Sequence, residues 1–247
     1  MLNRCRGKIY VVGIGPGALE LRTIAVLKAI EESSVVLGYK RYIDFIRDVL
    51  VNKRVVEYGM REEVERVKKA VEYALNGEIV ALVSGGDPQV YGMAGILLEY
   101  IAKNGIDVDV TIIPGVTAAL AAAAKLGAPL ASDFAVINLS DILIPREVIL
   151  SKVEHAAKGD FVIVFYNPVK LDLVEQAMNT VARFRSSDTP VGIARNVYRD
   201  GEKVFVTRLK DWIEYRDYID MGTTIIVGSS KTIIYRNYMV TQRGYRL

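Results

Sequence analysis

The sequence predicts an α/β fold with two α/β domains, the first built on a mainly parallel sheet and the second on a mixed sheet. Apolar strand-like runs alternate with helix-like segments through about residue 114, a pattern typical of parallel sheets. Further along, residues 197–202 are too few to hold a crossover helix between two strand-like runs. That spacing predicts a hairpin and therefore a mixed sheet. We place the domains at residues 1–114 and 115–247.

The elements of the first domain follow from hydrophobic periodicity. We predict strands at residues 8–14, 35–37, 78–84 and 108–113 and helices at residues 23–32, 62–76 and 93–103. The clearest helix is the second one, because Val64, Val67, Val71 and Ala74/Leu75 recur at three-to-four-residue spacing. The third strand is a continuous apolar run, which is typical of a central parallel strand buried on both faces.

The second domain begins with an alanine-rich helix at residues 117–126. Further helices are predicted at residues 146–157 and 171–183, and strands at residues 134–139, 161–166, 191–196, 203–209 and 224–228. The last strands are linked by short segments, so we expect antiparallel pairing among them.

Composition excludes several classes of protein. The 247-residue chain has one cysteine, Cys5, and one histidine, His155, whereas structural zinc needs about four such ligands; we expect no metal site. The longest uncharged stretch, residues 110–124, is shorter than the roughly 20 residues of a membrane span. Residues 1–8 and 231–247 carry seven basic residues and no acid, leaving the rest net acidic although the chain is +3. This distribution of charge predicts no nucleic-acid partner. The missing membrane span favours a cytoplasmic protein.

Glycine- and proline-rich turns follow three of the predicted strands, at residues 13–17, 84–88 and 114–117. In a parallel sheet the carboxyl ends of the strands lie at one edge, where ligands bind. Glycine allows a ligand to approach the backbone closely, and a following helix presents free N–H groups. The three turns together predict a small-molecule site.

A nicotinamide cofactor is one alternative for this site. Gly13, Gly15 and Ala18 have the spacing of a dinucleotide-binding turn. Pro16 removes a backbone donor there, and no acid follows the second strand to bind a ribose. Lys40 and Arg41 stand in that position instead, so binding of an NADP 2′-phosphate remains open.

Few residues are suited to acid–base or nucleophilic catalysis. We interpret His155 as a solvated helical residue, whereas Asp87 and Asp141 follow strands, where a carboxylate can face a ligand. This scarcity favours a group-transfer enzyme with a reactive cosubstrate, in which alignment supplies much of the rate enhancement.

Three motifs resemble those of the tetrapyrrole methylases, which use S-adenosylmethionine. They are GIGPG at residues 13–17, GGDPQVYG at 85–92 and PGVTAA at 114–119. Within that family the chain is most similar to the members that methylate carbon 17 of precorrin-3B. The segments that carry this finer similarity are LGAPL at 126–130, DFA at 133–135, LSD at 139–141, FYNP at 165–168 and TPVGIARN at 189–196.

The resemblance implies the tetrapyrrole methylase fold, a homodimer, and a cofactor cleft between the domains. The implied contacts with S-adenosylmethionine are Pro16, Gly86, Asp87, Val90, Tyr91, Thr117, Ala118, Tyr166, Asn167, Ala194, Thr223 and Thr224. The implied reaction is methyl transfer to carbon 17 of precorrin-3B or cobalt-precorrin-3 with ring contraction, in cobalamin biosynthesis. Asp141 and Ser140 are candidate catalytic residues, and the substrate carboxylates suit Arg146, Arg195, Arg199 and Arg243.

The sequence departs from the family pattern at Ile144, Arg146 and Lys170, all outside the cofactor motifs. These departures leave open a related precorrin methyltransferase acting at another macrocycle carbon. Two alternatives from other classes are an NADP-dependent reductase, which would bind its nucleotide through Lys40 and Arg41, and a tetrapyrrole-binding protein without catalytic activity.

Overall fold

The computed structural model describes residues 7–246, so Cys5 lies outside the described part of the chain. Two compact units are present, one ending at Ala118 and the other beginning at Ala119. The first unit has one sheet with a core cluster of buried residues on each side, and the second has two sheets and a separate core cluster. The predicted combination of a parallel and a mixed sheet is confirmed.

The first unit is a five-stranded sheet flanked by helices. Its strands are β1 (Lys8–Gly13), β2 (Val35–Tyr39), β3 (Arg54–Tyr58), β4 (Ile79–Ser84) and β5 (Asp109–Ile113). Its helices are α1 (Ile24–Glu32), α2 (Lys40–Asp44), α3 (Glu63–Leu75) and α4 (Met93–Asn104), with 3-10 turns at Leu19–Leu21 and Arg47–Val49. The strand order is β3-β2-β4-β1-β5 and every pair is parallel.

Hydrophobic periodicity located most of these elements but not every buried face. Strand β4 is buried along nearly its whole length, as its apolar run predicts. On α3, Val67, Val71 and Ala74 are buried, as the spacing predicts. Val64 is exposed, so the spacing rule assigned the first position of that face wrongly, and at its last position Ala74 is buried while Leu75 is exposed. Strand β3 and helix α2 were not predicted, because both are short and β3 is a half-exposed edge strand.

The second unit contains a five-stranded mixed sheet and a small three-stranded sheet. Its strands are β6 (Gly127–Ala128), β7 (Phe134–Asn138), β8 (Val162–Tyr166), β9 (Pro190–Arg195), β10 (Lys203–Arg208), β11 (Thr223–Val227), β12 (Thr232–Tyr235) and β13 (Tyr238–Thr241). Its helices are α5 (Ala118–Leu126), α6 (Arg146–Lys158) and α7 (Leu171–Ala182), with a 3-10 segment at Trp212–Tyr218. The large sheet has the order β10-β9-β11-β8-β7, and the small one β12-β13-β6.

Strand directions in the large sheet determine which loops lie at the same edge. Strands β7 and β8 are parallel, while β11 is antiparallel to both β8 and β9. The carboxyl ends of β7, β8 and β9 therefore share one edge with the amino end of β11. The predicted hairpin between β9 and β10 is confirmed by their antiparallel register. Helices α6 and α7 cover a core that includes Phe165 and Trp212.

Candidate functional site

Three loops meet at the carboxyl edge of the first sheet. The sheet is parallel throughout, and the glycine-rich turns follow β1, β4 and β5, which are neighbours in the strand order. The prediction that these turns lie on one edge is confirmed. We name the loops by the strands they follow: the β1 loop (residues 14–17), the β4 loop (residues 85–92) and the β5 loop (residues 114–117).

Glycine makes the close contact between these loops sterically feasible. Gly15 and Gly86 form an antiparallel bridge, with N···O distances of 3.1 and 2.8 Å in the two directions. A Cβ atom on Gly115 would lie 2.2 Å from the carbonyl oxygen of Gly13 and 2.3 Å from that of Gly86. Only a residue without a side chain fits there. The three loops are therefore a closely packed backbone surface.

Asp87 joins the β4 loop to the β5 loop through its carboxylate. Oδ2 accepts a hydrogen bond from the Gly115 backbone N–H at 3.0 Å, and Oδ1 accepts one from the Gln89 N–H at 2.8 Å. Hydrogen bonds to a charged acceptor are among the stronger ones in proteins. The residue predicted to contact the cofactor is thus also the residue that holds two of the loops together.

The other predicted cofactor residues of the first unit lie in or beside the same loops. Thr117 and Ala118 approach Gly86 closely, since a Cβ atom on Gly86 would lie 3.6 Å from the Thr117 Cα and 3.7 Å from the Ala118 nitrogen. Pro16 is buried in the β1 loop. In the β4 loop Val90 is half-buried and Tyr91 is exposed, with a positive φ of 56°.

Lys40 and Arg41, the residues of the NADP alternative, line a separate cavity of about 560 Å³ after β2 and β3. The same cavity is lined by Asp44 and Glu57, and both of these carboxylates pair with Arg47. The wall of this cavity therefore carries acidic as well as basic side chains, so it is not a purely basic phosphate site.

Predicted site residues also collect at the edge of the second unit's large sheet. The Tyr166 hydroxyl, at the end of β8, accepts a hydrogen bond from the Ala119 N–H of α5 at 2.6 Å. The next residue, Asn167, has a positive φ of 52°, and its Nδ2 donates to Oδ1 of Asn138 at 3.0 Å. Asn138 ends β7 and was not predicted, because its partner lies on a neighbouring strand.

Strands β9 and β11 bring four more predicted residues to this edge. In the register of the pair, Ala194 lies opposite Thr224 and Arg195 lies opposite Thr223. The Thr223 hydroxyl donates to the Tyr218 carbonyl oxygen at 2.8 Å and is buried.

Arg195 is bound to an acid of its own unit. Its Nε lies 2.8 Å from Oδ2 of Asp220. Partial burial raises the pKa of Asp220, but the hydrogen bonds from Arg195 and from the Gly222 N–H outweigh that effect, so the pKa lies below its ordinary value. Asp220 was not predicted, and it stabilises the turn that precedes β11.

Asp141 lies after β7 and is held between two cations. Lys170 Nζ lies 2.7 Å from its Oδ1, and Arg146 donates to its Oδ2 from Nε at 3.2 Å and from Nη2 at 2.8 Å. Lys170 and Arg146 together lower the pKa of Asp141 from 3.8 to about 2. Arg146 also donates from Nη1 to Asp172 at 2.6 Å. Asp141 is therefore a carboxylate at neutral pH and has no proton to donate.

The remaining candidates are more scattered. Ser140 precedes Asp141 and is half-buried. The backbone N–H of Arg199 donates to the Asn196 carbonyl oxygen at 2.9 Å, in the turn between β9 and β10. Arg243 is in the exposed segment after β13, where its guanidinium carbon lies 5.4 Å from the centroid of the Tyr245 ring.

Residues 7–246 contain no group of three or more histidine, cysteine, aspartate or glutamate side chains arranged to hold a metal ion. Across the same residues, no helix is both long and apolar enough to cross a membrane.

Several known proteins are similar to this chain in sequence or in structure. The chain is 42% identical to a cobalt-factor III methyltransferase of Priestia megaterium over 98% of its length, but spans only about half, 46%, of that relative. It is 38% identical to a precorrin-3B C(17)-methyltransferase of a Sinorhizobium species, covering 92% of this chain and 91% of the relative. The crystal structure of the methyltransferase CobJ superposes with a TM-score of 0.89 at 33% identity, covering 96% of this chain and 100% of that one.

The family match itself extends over most of the chain. Residues 8–212 match the family described as Tetrapyrrole (Corrin/Porphyrin) Methylases. The matched part includes the three loops of the first sheet and the edge formed by β7, β8 and β9. The chain belongs to the tetrapyrrole methylase family.

Proposed function

We propose that this protein transfers a methyl group from S-adenosylmethionine to carbon 17 of a precorrin-3 macrocycle, with ring contraction, in cobalamin biosynthesis. Family membership supports the methyl transfer, and the names of the Priestia and Sinorhizobium relatives support the substrate. The observation that carries the proposal is the packed surface of three loops at one edge of the first sheet, joined by Gly15, Gly86 and Asp87.

The residues present fit the cofactor. A donor with an adenosine and an amino acid part needs a surface that its atoms can approach closely, with backbone groups to bind. The loops supply glycine and alanine there, and their close packing at Gly115 supports a preformed surface. When bound, S-adenosylmethionine supplies an electrophilic methyl group on its sulfonium sulfur.

We propose that two sets of residues hold the cofactor, one in each unit. The first set is Pro16, Gly86, Asp87, Val90, Tyr91, Thr117 and Ala118, and the second is Tyr166, Asn167, Ala194, Thr223 and Thr224. Asp87 acts in two ways in this proposal, as a contact and as the link that positions the β5 loop.

The chain's contribution to the reaction is chiefly positional. The ionised Asp141 has no proton to give, and a carbon that is already nucleophilic needs no base to activate it. Methyl transfer needs the reacting atoms about 3–3.5 Å apart and in line. Loops whose backbones are fixed at a sheet edge supply that kind of positioning. Ser140 then serves as a contact to the substrate, and Asp141 holds Arg146 and Lys170 in position beside it; neither acts as a proton donor.

The relatives differ in whether their names include cobalt, and the identity is higher to the cobalt-factor III enzyme than to the precorrin-3B enzyme. We therefore propose cobalt-factor III as the preferred substrate, with the metal carried by the macrocycle. We also propose a homodimer. Its mass is measurable by light scattering, and a monomer would contradict this part of the proposal.

Two experiments test the proposal. Calorimetry with S-adenosylhomocysteine and with NADPH should show binding of the first and none of the second; the opposite result would support the reductase. Incubation with S-adenosylmethionine and either cobalt-factor III or precorrin-3B, followed by mass spectrometry and NMR of the product, should show methylation at carbon 17. A methyl group at another carbon would identify a related methyltransferase, and retention of macrocycle without transfer would identify a binding protein.

A further inference from the structure

The segment that follows β7 forms a loop whose two ends are fixed. We call residues 141–146 the Asp141 loop. Its first and last residues are joined by the ion pair between Asp141 and Arg146, and Lys170 binds the same carboxylate from the chain after β8. Ile144 packs against the core of the second unit. The ends of the loop are therefore held by charge and by apolar packing at the same time.

The tip of the Asp141 loop presents two apolar side chains to solvent. Ile142 is 64% exposed and Leu143 is 92% exposed, the highest value of any large apolar residue in the described chain. Single exposed apolar residues are common on protein surfaces. Two adjacent exposed apolar residues on a loop with fixed ends are less common. Polar residues could stand at these two positions without any loss of packing in the core. This pattern indicates a surface that becomes buried on binding.

The position of the loop indicates what it binds. It follows β7 at the edge where Tyr166 and Asn167 end β8, so it lies beside residues assigned above to the site. Lys170 adds a positive charge next to the tip, and its side chain is 54% exposed. An ammonium group has three N–H donors, of which the Asp141 carboxylate needs one.

We propose that Ile142 and Leu143 contact the apolar face of the macrocyclic substrate while Lys170, positioned by Asp141, binds one of its peripheral carboxylates. This inference rests on the proposed function. Charge complementarity favours the macrocycle over a second copy of the chain, because a flat apolar ring bordered by carboxylates matches an apolar tip with an adjacent cation. Arg146 closes the loop and Asp141 is a positioning residue.

The test compares the tip with an equally exposed apolar site elsewhere. The double variant Ile142→Ser/Leu143→Ser is matched by Val51→Ser, since Val51 is 72% exposed in the first unit. Losing the burial of two aliphatic side chains should raise the KM for cobalt-factor III at least about tenfold. The kcat, the Kd for S-adenosylhomocysteine and the mass measured by light scattering should not change. Val51→Ser should behave as wild type.

The cation is tested separately. Lys170→Met should raise the KM for cobalt-factor III, whereas Lys170→Arg, which keeps the positive charge, should have a KM close to that of the wild type. The control is Lys158→Met, at a surface lysine paired with Glu154, and it should not change the KM. Asp141→Asn should raise the KM with little change in kcat, because it frees Lys170 from its position without removing it. A change in kcat alone would overturn the positioning role.

Three results would overturn the inference: an unchanged KM in the double variant, an effect equal to that of Val51→Ser, or a change in molecular mass, which would identify the tip as a contact between copies. Titration of cobalt-factor III absorbance with each variant requires no turnover. If the wild type binds this macrocycle but transfers no methyl group, the proposed function fails, and the titration still decides whether the loop is the binding determinant.

Discussion

Replacement of Gly115 by alanine is the most direct test of the loop packing at the first sheet. The new Cβ atom would lie 2.2 Å from the Gly13 carbonyl oxygen and 2.3 Å from the Gly86 carbonyl oxygen. Both are backbone atoms, so neither can rotate away as a side chain could. The β5 loop must move, and that movement would break its hydrogen bond to Asp87.

The expected cost follows from this geometry. An extra methyl group in a well-packed site destabilises a protein by about 1–3 kcal/mol, occasionally more. Because the clash is with backbone on two sides, we expect the upper end, about 3 kcal/mol. For a chain of this size, about 1 kcal/mol corresponds to about 2–4 °C in Tm. The variant should therefore unfold about 6–12 °C below the wild type.

Gly95→Ala provides the matched control. Gly95 is in the first turn of α4, and a Cβ atom there would have nothing within 4 Å. Alanine is about 0.5–1 kcal/mol more favourable than glycine in the middle of a helix, so in the first turn we expect this variant to be as stable as wild type or slightly more stable. Replacing glycine by alanine should therefore lower the stability at position 115 but not at position 95.

The assay has two readouts, thermal unfolding by circular dichroism and S-adenosylhomocysteine binding by calorimetry. Gly115→Ala should lower the Tm and weaken the binding, whereas Gly95→Ala should leave the binding unchanged. Suppose that Gly115→Ala has the same Tm as Gly95→Ala and binds S-adenosylhomocysteine with wild-type affinity. The loops would then not be packed as described, and the cofactor surface would not be preformed.

Three further predictions concern single side chains. Asp87→Asn would turn an amide NH₂ toward a backbone N–H, so we expect a loss of about 1 kcal/mol in stability and weaker S-adenosylhomocysteine binding by calorimetry; unchanged affinity would remove Asp87 from the site. Tyr166→Phe leaves a helix N–H without its acceptor and should cost about 1–3 kcal/mol in urea unfolding, whereas Tyr235→Phe at an exposed ring should cost less than about 0.5. The Asp141 carboxyl should titrate with a midpoint near pH 2 by NMR, against an ordinary 3.8. Because its pKa is lowered on folding, its ion pairs stabilise the protein fully above pH 3.8 and lose that effect as the pH falls through about 2. Lys170→Met should raise the midpoint, and an unmoved value would contradict the assigned cause.

Local physics allowed most of the fold to be predicted from the sequence. The continuous apolar run of β4 reflects a strand that is buried on both faces. The three-to-four spacing of α3 reflects a helix that is buried on one face. The helices and strands that escaped prediction, such as α2 and β3, are short or half-exposed and leave a weak periodic signal. The small sheet formed by β12, β13 and β6 was missed for the same reason.

The candidate site was predictable only in part. Glycine-rich turns after strands are visible in the sequence because the backbone conformation that they require is local. The partners of the predicted residues are not visible in that way. Asp87 binds the N–H of Gly115, Asn167 binds Asn138, and Arg195 binds Asp220.

The sequence by itself determined the alternation of strands and helices, the parallel character of the first sheet and the placement of glycine after its strands. The tertiary structure decided the strand order, and with it which loops meet and which charges pair. The reason is physical. Periodicity and turn chemistry act over a few residues, whereas the ion pairs that hold Asp141 and the hydrogen bond that holds the β5 loop join residues that become neighbours only when the strands are assembled into a sheet.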